Sequence, residues 1–127
     1  MSRRQAGFTL VEIIAVIAIV GILAAIAVGR YWGVKNRTYV TAMQSDLRNP
    51  VTAEAEYYAD SARFTADLSA LTFRETSGVN APTITTGVGF WTATITLSLL
   101  PGHVCGVSVN TTNPVSAAAG EGAPACN

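Results

Sequence analysis

The chain has 127 residues, half of them apolar and 13% charged, and its eight basic residues balance eight acidic ones. That length holds one domain, and no basic patch of the kind that follows a phosphate backbone is written into it, so no specific nucleic-acid site is visible. A single histidine, His103, and two cysteines, Cys105 and Cys126, leave little material for a catalytic constellation.

The apolar content is concentrated near the N-terminus. From Phe8 to Val28 the only interruptions are Thr9, Glu12 and Gly21. As a helix, that stretch extends about 32 Å, enough to cross a bilayer core of about 30 Å. Arg3 and Arg4 precede it, and Arg30, Lys35 and Arg37 follow it, so the distribution of basic residues leaves its orientation open. The basic start, the apolar stretch and Ala25-Ile26-Ala27 fit a secretory signal peptide. Ser2-Arg3-Arg4-Gln5 fits the opening of a twin-arginine signal. Glu12 argues against both. An ionised carboxylate inside the run costs on the order of 3 kcal/mol on insertion, and neither kind of signal gains from it. The run also exceeds the usual signal core of about 7–15 residues.

Gly7-Phe8-Thr9-Leu10-Val11-Glu12, continued by Ile13-Ile14-Ala15-Val16-Ile17-Ala18-Ile19-Val20-Gly21-Ile22-Leu23-Ala24-Ala25-Ile26-Ala27, resembles the prepilin peptidase site and anchor of type IV pilins and their relatives, the pseudopilins. The resemblance implies a leader of residues 1–7 removed after Gly7, N-methylation of the new N-terminal Phe8, and an assembly role for Glu12. It implies as partners a prepilin peptidase, identical subunits in a helical homopolymer, the inner-membrane assembly machinery, and membrane lipid before assembly. Loss of residues 1–7 would leave six basic residues against eight acidic ones, a net charge of −2. An unpaired carboxylate in lipid is unfavourable, and a neighbour's Phe8 α-amine is a partner whose attraction is much larger at low dielectric than in water. Many pilins carry a proline just after the Ala-rich end of the anchor, whereas this chain has Gly29. Glycine loosens a helix by about 1 kcal/mol relative to alanine, against about 3 for proline, so a sharp kink is not expected there.

Beyond Arg30 the helical pattern becomes amphipathic. Val40, Met43, Leu47, Val51, Ala55 and Tyr58 recur at three- and four-residue steps and predict one apolar face. Arg37, Asp46, Arg48, Glu54, Glu56 and Asp60 fall on other faces and read as solvated. Pro50 removes a hydrogen bond to the carbonyl four residues earlier, which predicts a bend near Asp46–Pro50. The helix is expected to end near Tyr58–Asp60, with a connector over Ser61–Asn80 that holds a short helical turn around Ala66–Leu71.

Strand signals follow. Gly89–Leu100 alternates apolar residues with Thr or Ser, Pro101-Gly102 fits a tight turn, and Val104–Val109 alternates again. Thr83–Thr86 is a candidate edge strand. Asn110–Asn127, rich in Gly, Ala, Pro and Asn, reads as a loop pinned by Cys126. An even, small number of cysteines behind an export-like N-terminus points to a Cys105–Cys126 disulfide in an oxidising compartment, the alternative being two unpaired thiols.

The expected fold class is α+β. A long helix, with a membrane-spanning half over residues 8–29 and an amphipathic half over 30–60, packs on a small antiparallel sheet within a head of residues 61–127. No cofactor and no metal is expected. After Glu75 the only carboxylate side chain is Glu121, whereas calcium wants several clustered oxygens. Catalysis by a Cys–His pair would need a free thiolate that the disulfide removes. The resemblance points to a structural subunit of an extracellular pilus serving adhesion, motility or DNA uptake. The alternative is a pseudopilin of a type II secretion-like system. Localisation follows: a bacterial inner-membrane precursor, then a surface pilus or a periplasmic pseudopilus.

Overall fold

The computed structural model describes residues 7–127. The expected leader, residues 1–7 with Arg3 and Arg4, lies outside the described residues except for Gly7. One helix, α1, runs from Leu10 to Ser61 and passes through two compact units that divide between Lys35 and Asn36. In the second unit the chain continues through a single 3₁₀ turn, Leu68–Ala70, and four strands: β1 (Thr83–Gly87), β2 (Phe90–Thr96), β3 (Val104–Val109) and β4 (Ala125–Cys126). The strands form one antiparallel sheet in the order β1-β2-β3-β4.

From Leu10 onward the first unit is a bare helix, apolar as far as Gly29. An 18-residue window of α1 reaches a mean hydropathy of 2.9 with none of it buried by the rest of the chain. Among the described residues this is the one helix long and apolar enough to cross a membrane. Gly21 and Gly29 both lie within it without breaking it, in keeping with the modest cost of glycine in a helix.

The second unit has the core. Met43 and Leu47 of α1 are fully buried against Trp91, Ala93 and Ile95 of β2 and Cys105 and Val107 of β3. Removing each such large apolar side chain from water contributes about 2 kcal/mol. The strand alternation explains the assignment: β2 buries Trp91, Ala93 and Ile95 in turn, leaving Phe90 and Thr96 exposed. Ile95 pairs with Cys105 and Ala93 with Val107, so the buried faces of β2 and β3 coincide. The loop between them makes two successive turns, with Leu100 N–H donating to the Leu97 carbonyl and His103 N–H to the Leu100 carbonyl. Pro101 and Gly102, the latter at φ +88°, occupy the centre of the second turn, where a left-handed residue is required.

The buried face of α1 is rotated from the sequence expectation. Met43 and Leu47 are core, but the face continues through Pro50, Ala53 and Glu54, while Ala55 and Tyr58 are exposed and Val51 is half-buried. Asp46 and Glu54, expected in solvent, are buried. The reason lies in the connector. Its irregular backbone carries donors that need partners, and the helix acids supply acceptors. Asp46 accepts from Thr76 N–H at 2.8 Å and from Thr76 Oγ1 at 2.6 Å, and Glu54 accepts from Thr65 N–H at 3.1 Å. Asn49 Nδ2 adds a bond to the Arg74 carbonyl at 3.1 Å. Pro50 leaves the Asp46 carbonyl without its intrahelical donor; even so, α1 runs unbroken through it, with the ring buried. The helix stops at Ser61, where Ala62 turns to φ +54° and donates its N–H to the Tyr58 carbonyl at 2.8 Å.

Glu54 is the costly member of this clamp. Its Oε1 and the indole Nε1 of Trp91 are buried with no hydrogen-bond partner among the described residues. Burial pushes the Glu54 carboxyl above its ordinary value of 4.5, and the bond from Thr65 N–H only partly opposes this. A carboxyl raised in the folded state gives stability that is fully present below its unfolded pKa and lost as pH rises through its folded pKa. Asp67, bonded by the hydroxyl and N–H of Ser69, is held below its ordinary 3.8 and acts in the opposite sense, losing its contribution as pH falls below that value. Denaturant titrations of the detergent-solubilised chain, followed by near-UV circular dichroism, should therefore show head stability declining as pH rises from 4.5 towards neutrality. Glu54→Gln should remove that decline. An unchanged slope in the variant would assign the pH dependence elsewhere.

Candidate functional site

The residues singled out by the sequence fall at two places. At the first, Gly7, Phe8 and Thr9 form an irregular lead into α1, and all three are exposed. Phe8 is 80% exposed, and a Cβ built on Gly7 would meet nothing within 4 Å. The Gly7–Phe8 peptide bond is thus accessible, beside a residue small enough for a close-fitting protease pocket.

Thr9 and Glu12 form a reciprocal cap at the start of α1. Glu12 N–H donates to Thr9 Oγ1 at 3.2 Å, while Glu12 Oε2 accepts from Thr9 N–H at 2.7 Å and from Thr9 Oγ1 at 2.8 Å. A Thr followed three residues later by Glu is the capping-box pattern, which satisfies donors that the first helical turn leaves open. The Thr9-Leu10-Val11-Glu12 spacing carries this signal in the sequence, beside the charge and the assembly role for which Glu12 stands out there. Two of the three bonds go to one carboxylate oxygen, Oε2. None reaches Oε1.

At the second place, Cys105 and Cys126 are bonded to one another, with Cα atoms 4.0 Å apart. The two residues stand opposite each other in the β3–β4 ladder. The expected C-terminal loop is therefore part strand: β4 is a short fourth strand, too brief for a periodicity of two to reveal. Val104 N–H donates to Asn127 Oδ1 at 2.8 Å, and His103 Nδ1 lies 2.8 Å from the Asn127 carbonyl. His103 thus precedes β3 and holds the end of the tail.

Between the cysteines, the loop folds over the other side of β3. Asn113, buried, donates through Nδ2 to the Gly106 carbonyl at 2.8 Å and accepts through Oδ1 from Val115 N–H at 2.9 Å and Ser116 N–H at 3.2 Å. A Cβ on Gly106 would lie 2.8 Å from Val115 Cγ2 and 3.1 Å from Asn113 Oδ1, so glycine is what lets the loop approach this closely. Sequence reasoning passed over both residues, because each reads as ordinary loop or strand material in isolation. Glu121, the tail's only carboxylate side chain, accepts from Asn110 N–H at 3.2 Å.

Comparison with known proteins bears on the first place. Residues 2–28 match the model of the prokaryotic N-terminal methylation motif. The chain is 47% identical over 51 residues to a fimbrial protein of Pseudomonas aeruginosa, covering 40% of this chain and 33% of that protein. It is 34% identical over 61 residues to a type IV major pilin protein of Myxococcus xanthus, covering 48% of this chain and 28% of that protein. With a type IV wide pilus major component of Thermus thermophilus it shares 33% identity over 69 residues, 54% of this chain and 53% of that protein. The matched part thus spans well under two thirds of the length of these relatives. No solved structure matches the chain.

Two measurements check the geometry. Thr9→Val removes the cap, which should cost about 1 kcal/mol at the helix start and speed amide exchange at residues 10–13 in micelles, leaving the head unchanged. Reducing the Cys105–Cys126 bond opens the loop and should lower head stability by about 3 kcal/mol on the loop-entropy model, read as a lower denaturation midpoint.

Proposed function

We infer that this chain, a member of the type IV pilin family, is the precursor of a filament subunit that is cut after Gly7 and polymerises through the exposed helix beginning at Leu10. The observation that carries the reading is the pairing of an uncovered apolar helix with one carboxylate, Glu12, at its start. Residues 1–7 are the leader and 8–29 the membrane-spanning and filament-core segment. Residues 30–60 are the amphipathic half of the helix, and 61–127 complete the head.

Cutting the Gly7–Phe8 bond frees an α-amine at Phe8, which a methyltransferase step then modifies. That amine is cationic, and in an apolar surrounding it needs a counter-charge. Glu12 offers one in the neighbouring subunit: Oε2 is held by Thr9, and Oε1 stays open to an incoming donor. A charge-assisted hydrogen bond of this kind is about twice as strong as a neutral one. It also sets the axial position of each new subunit, because only one register brings amine to carboxylate. Before assembly the apolar surface sits in the inner membrane. Afterwards it sits among identical helices in a pilus outside the cell. The prepilin peptidase and the inner-membrane assembly machinery are its proposed partners, and adhesion, surface motility or DNA uptake the proposed work of the filament.

The test separates processing from assembly. Glu12→Val should be cleaved at Gly7 as the native chain is, yet its recovery in filaments sheared from cells should fall at least tenfold. Filaments from native cells should contain this chain as their bulk protein. Undiminished incorporation of the Glu12 variant would remove the pairing step from the account, and absence of the native chain from sheared filaments would overturn the subunit role.

A further inference from the structure

The last turns of the first unit carry a cluster that the proposed pairing of Glu12 with a neighbour's amine does not use. Tyr31 and Trp32 are 61% and 57% exposed, with ring centroids 6.1 Å apart and planes at 75°, an edge-to-face pair. Lys35 Nζ lies 5.8 Å from the centroid of Tyr31 and 5.4 Å from that of Trp32, within the range of a cation–π interaction. Arg30 stands one residue before the pair. Arg30, Tyr31 and Trp32 follow directly on residues 8–29, and Lys35 stands about one turn further on.

We propose that Arg30, Tyr31, Trp32 and Lys35 form an interfacial anchor that seats the outer end of the helix in the headgroup layer and recruits anionic phospholipids. The proposal rests on the reading of residues 8–29 as the membrane-spanning segment and adds the depth of that segment and the lipid it favours.

Length places the cluster. The part of α1 from Leu10 to Gly29 rises about 30 Å, and the hydrocarbon core is about 30 Å thick, so residues 30–35 emerge at the level of glycerol and phosphate. Tyr and Trp rings are amphipathic and concentrate at that depth, with an apolar body towards the chains and a polar tip towards water. The lysine bends back over both rings, which holds its ammonium at the same level. An ammonium presents three donors, and a phosphodiester presents acceptor oxygens.

Charge selects the lipid. Between Ile13 and Ser45 the only charged residues are Arg30, Lys35 and Arg37, all basic. From Thr38 to Asn127 seven acidic residues outnumber three basic ones, a net charge of −4. An acidic head is repelled by an anionic leaflet, and the basic turn at the end of the span supplies the opposing attraction. A basic residue near an anionic surface favours it by up to about fivefold in lipid association.

Trp32 reports directly, because the chain's other tryptophan, Trp91, is fully buried in the head. The full-length chain is reconstituted into phosphatidylcholine vesicles containing phosphatidylglycerol, with lipids brominated at shallow or deep acyl positions. The Trp32 signal is the difference between the native chain and Trp32→Phe. The expected result is stronger quenching by shallow than by deep bromines, and stronger quenching by brominated phosphatidylglycerol than by brominated phosphatidylcholine at equal mole fraction. Arg30→Gln with Lys35→Gln should abolish the headgroup preference and leave vesicle association intact. Deep quenching, or equal quenching by both headgroups, overturns the anchor while leaving the membrane-spanning reading in place. Loss of quenching as protein density rises at fixed lipid composition would assign the cluster to a second copy of the helix and also overturn it. A chain that fails to float with vesicles at all overturns the spanning reading and the anchor with it.

Discussion

An apolar helical surface with no protein over it cannot rest in water, and the first unit of this chain is such a surface from Leu10 to Val28. At about 25 cal/mol for each Å² removed from water, covering it yields far more than any single bond in the molecule. The demand has two solutions that do not exclude each other in time. In the proposed function lipid meets it for a single subunit, and identical helices meet it in a filament. Lipid tails are as apolar as leucine, so the exchange of one cover for the other has little hydrophobic bias. What tips it must then be polar. Glu12 is the one carboxylate in the stretch, and in the proposed assembly its pairing with a neighbour's amine supplies that bias.

The second unit solves an ordinary folding problem by an unusual distribution of polar groups. Three polar side chains from one helix turn and the next, Asp46, Asn49 and Glu54, reach out to Thr76, Arg74 and Thr65. They tie down a connector that has one 3₁₀ turn as its regular structure. On the far side of the sheet Asn113 performs the same service for the C-terminal loop, bonding to Gly106 and to the backbone of residues 115 and 116. The apolar core of Met43, Leu47, Trp91, Ile95 and Val107 lies between. A small head thus relies on side chain–backbone bonds where a larger domain would use more secondary structure. The disulfide closes the one segment that neither strand pairing nor the core holds for long.

The order of elements was legible because it rests on periodicity and punctuation. Phe8–Val28 announced itself by composition, the hairpin of β2 and β3 by alternation around Pro101-Gly102, and the 3₁₀ turn at Leu68–Ala70 fell where a short turn was expected. What escaped were interactions between segments far apart in sequence. Asp46 and Thr76 are 30 residues apart, and nothing local marks the aspartate as buried rather than solvated. Assigning every charge to solvent therefore rotated the apolar face from Pro50 and Ala53 towards Val51 and Ala55. β4 was hidden for a different reason: two residues are too few to show alternation, and their pairing is dictated by Cys105 opposite Cys126. Gly7, Phe8 and Glu12 stood out by type, whereas the cap linking Glu12 to Thr9 is a matter of spacing read in three dimensions.

That cap resolves a tension in the use of a carboxylate inside a membrane. A bare carboxylate is costly to insert, yet one fully paired within its own chain would have nothing left for a neighbour. Glu12 divides the two tasks between its oxygens. Oε2 takes the N–H and hydroxyl of Thr9, which satisfies the first helical turn and compensates part of the charge. Negative charge there is also favoured by the partial positive charge at a helix N-terminus. Oε1 makes no hydrogen bond among the described residues, and the residue is exposed with the rest of the first turn. Because Thr9 N–H is an amide on the far side of Phe8 from the Gly7–Phe8 bond, the proposed cut after Gly7 leaves the cap in place. In the proposed assembly the helix start therefore need not reorganise between insertion and filament.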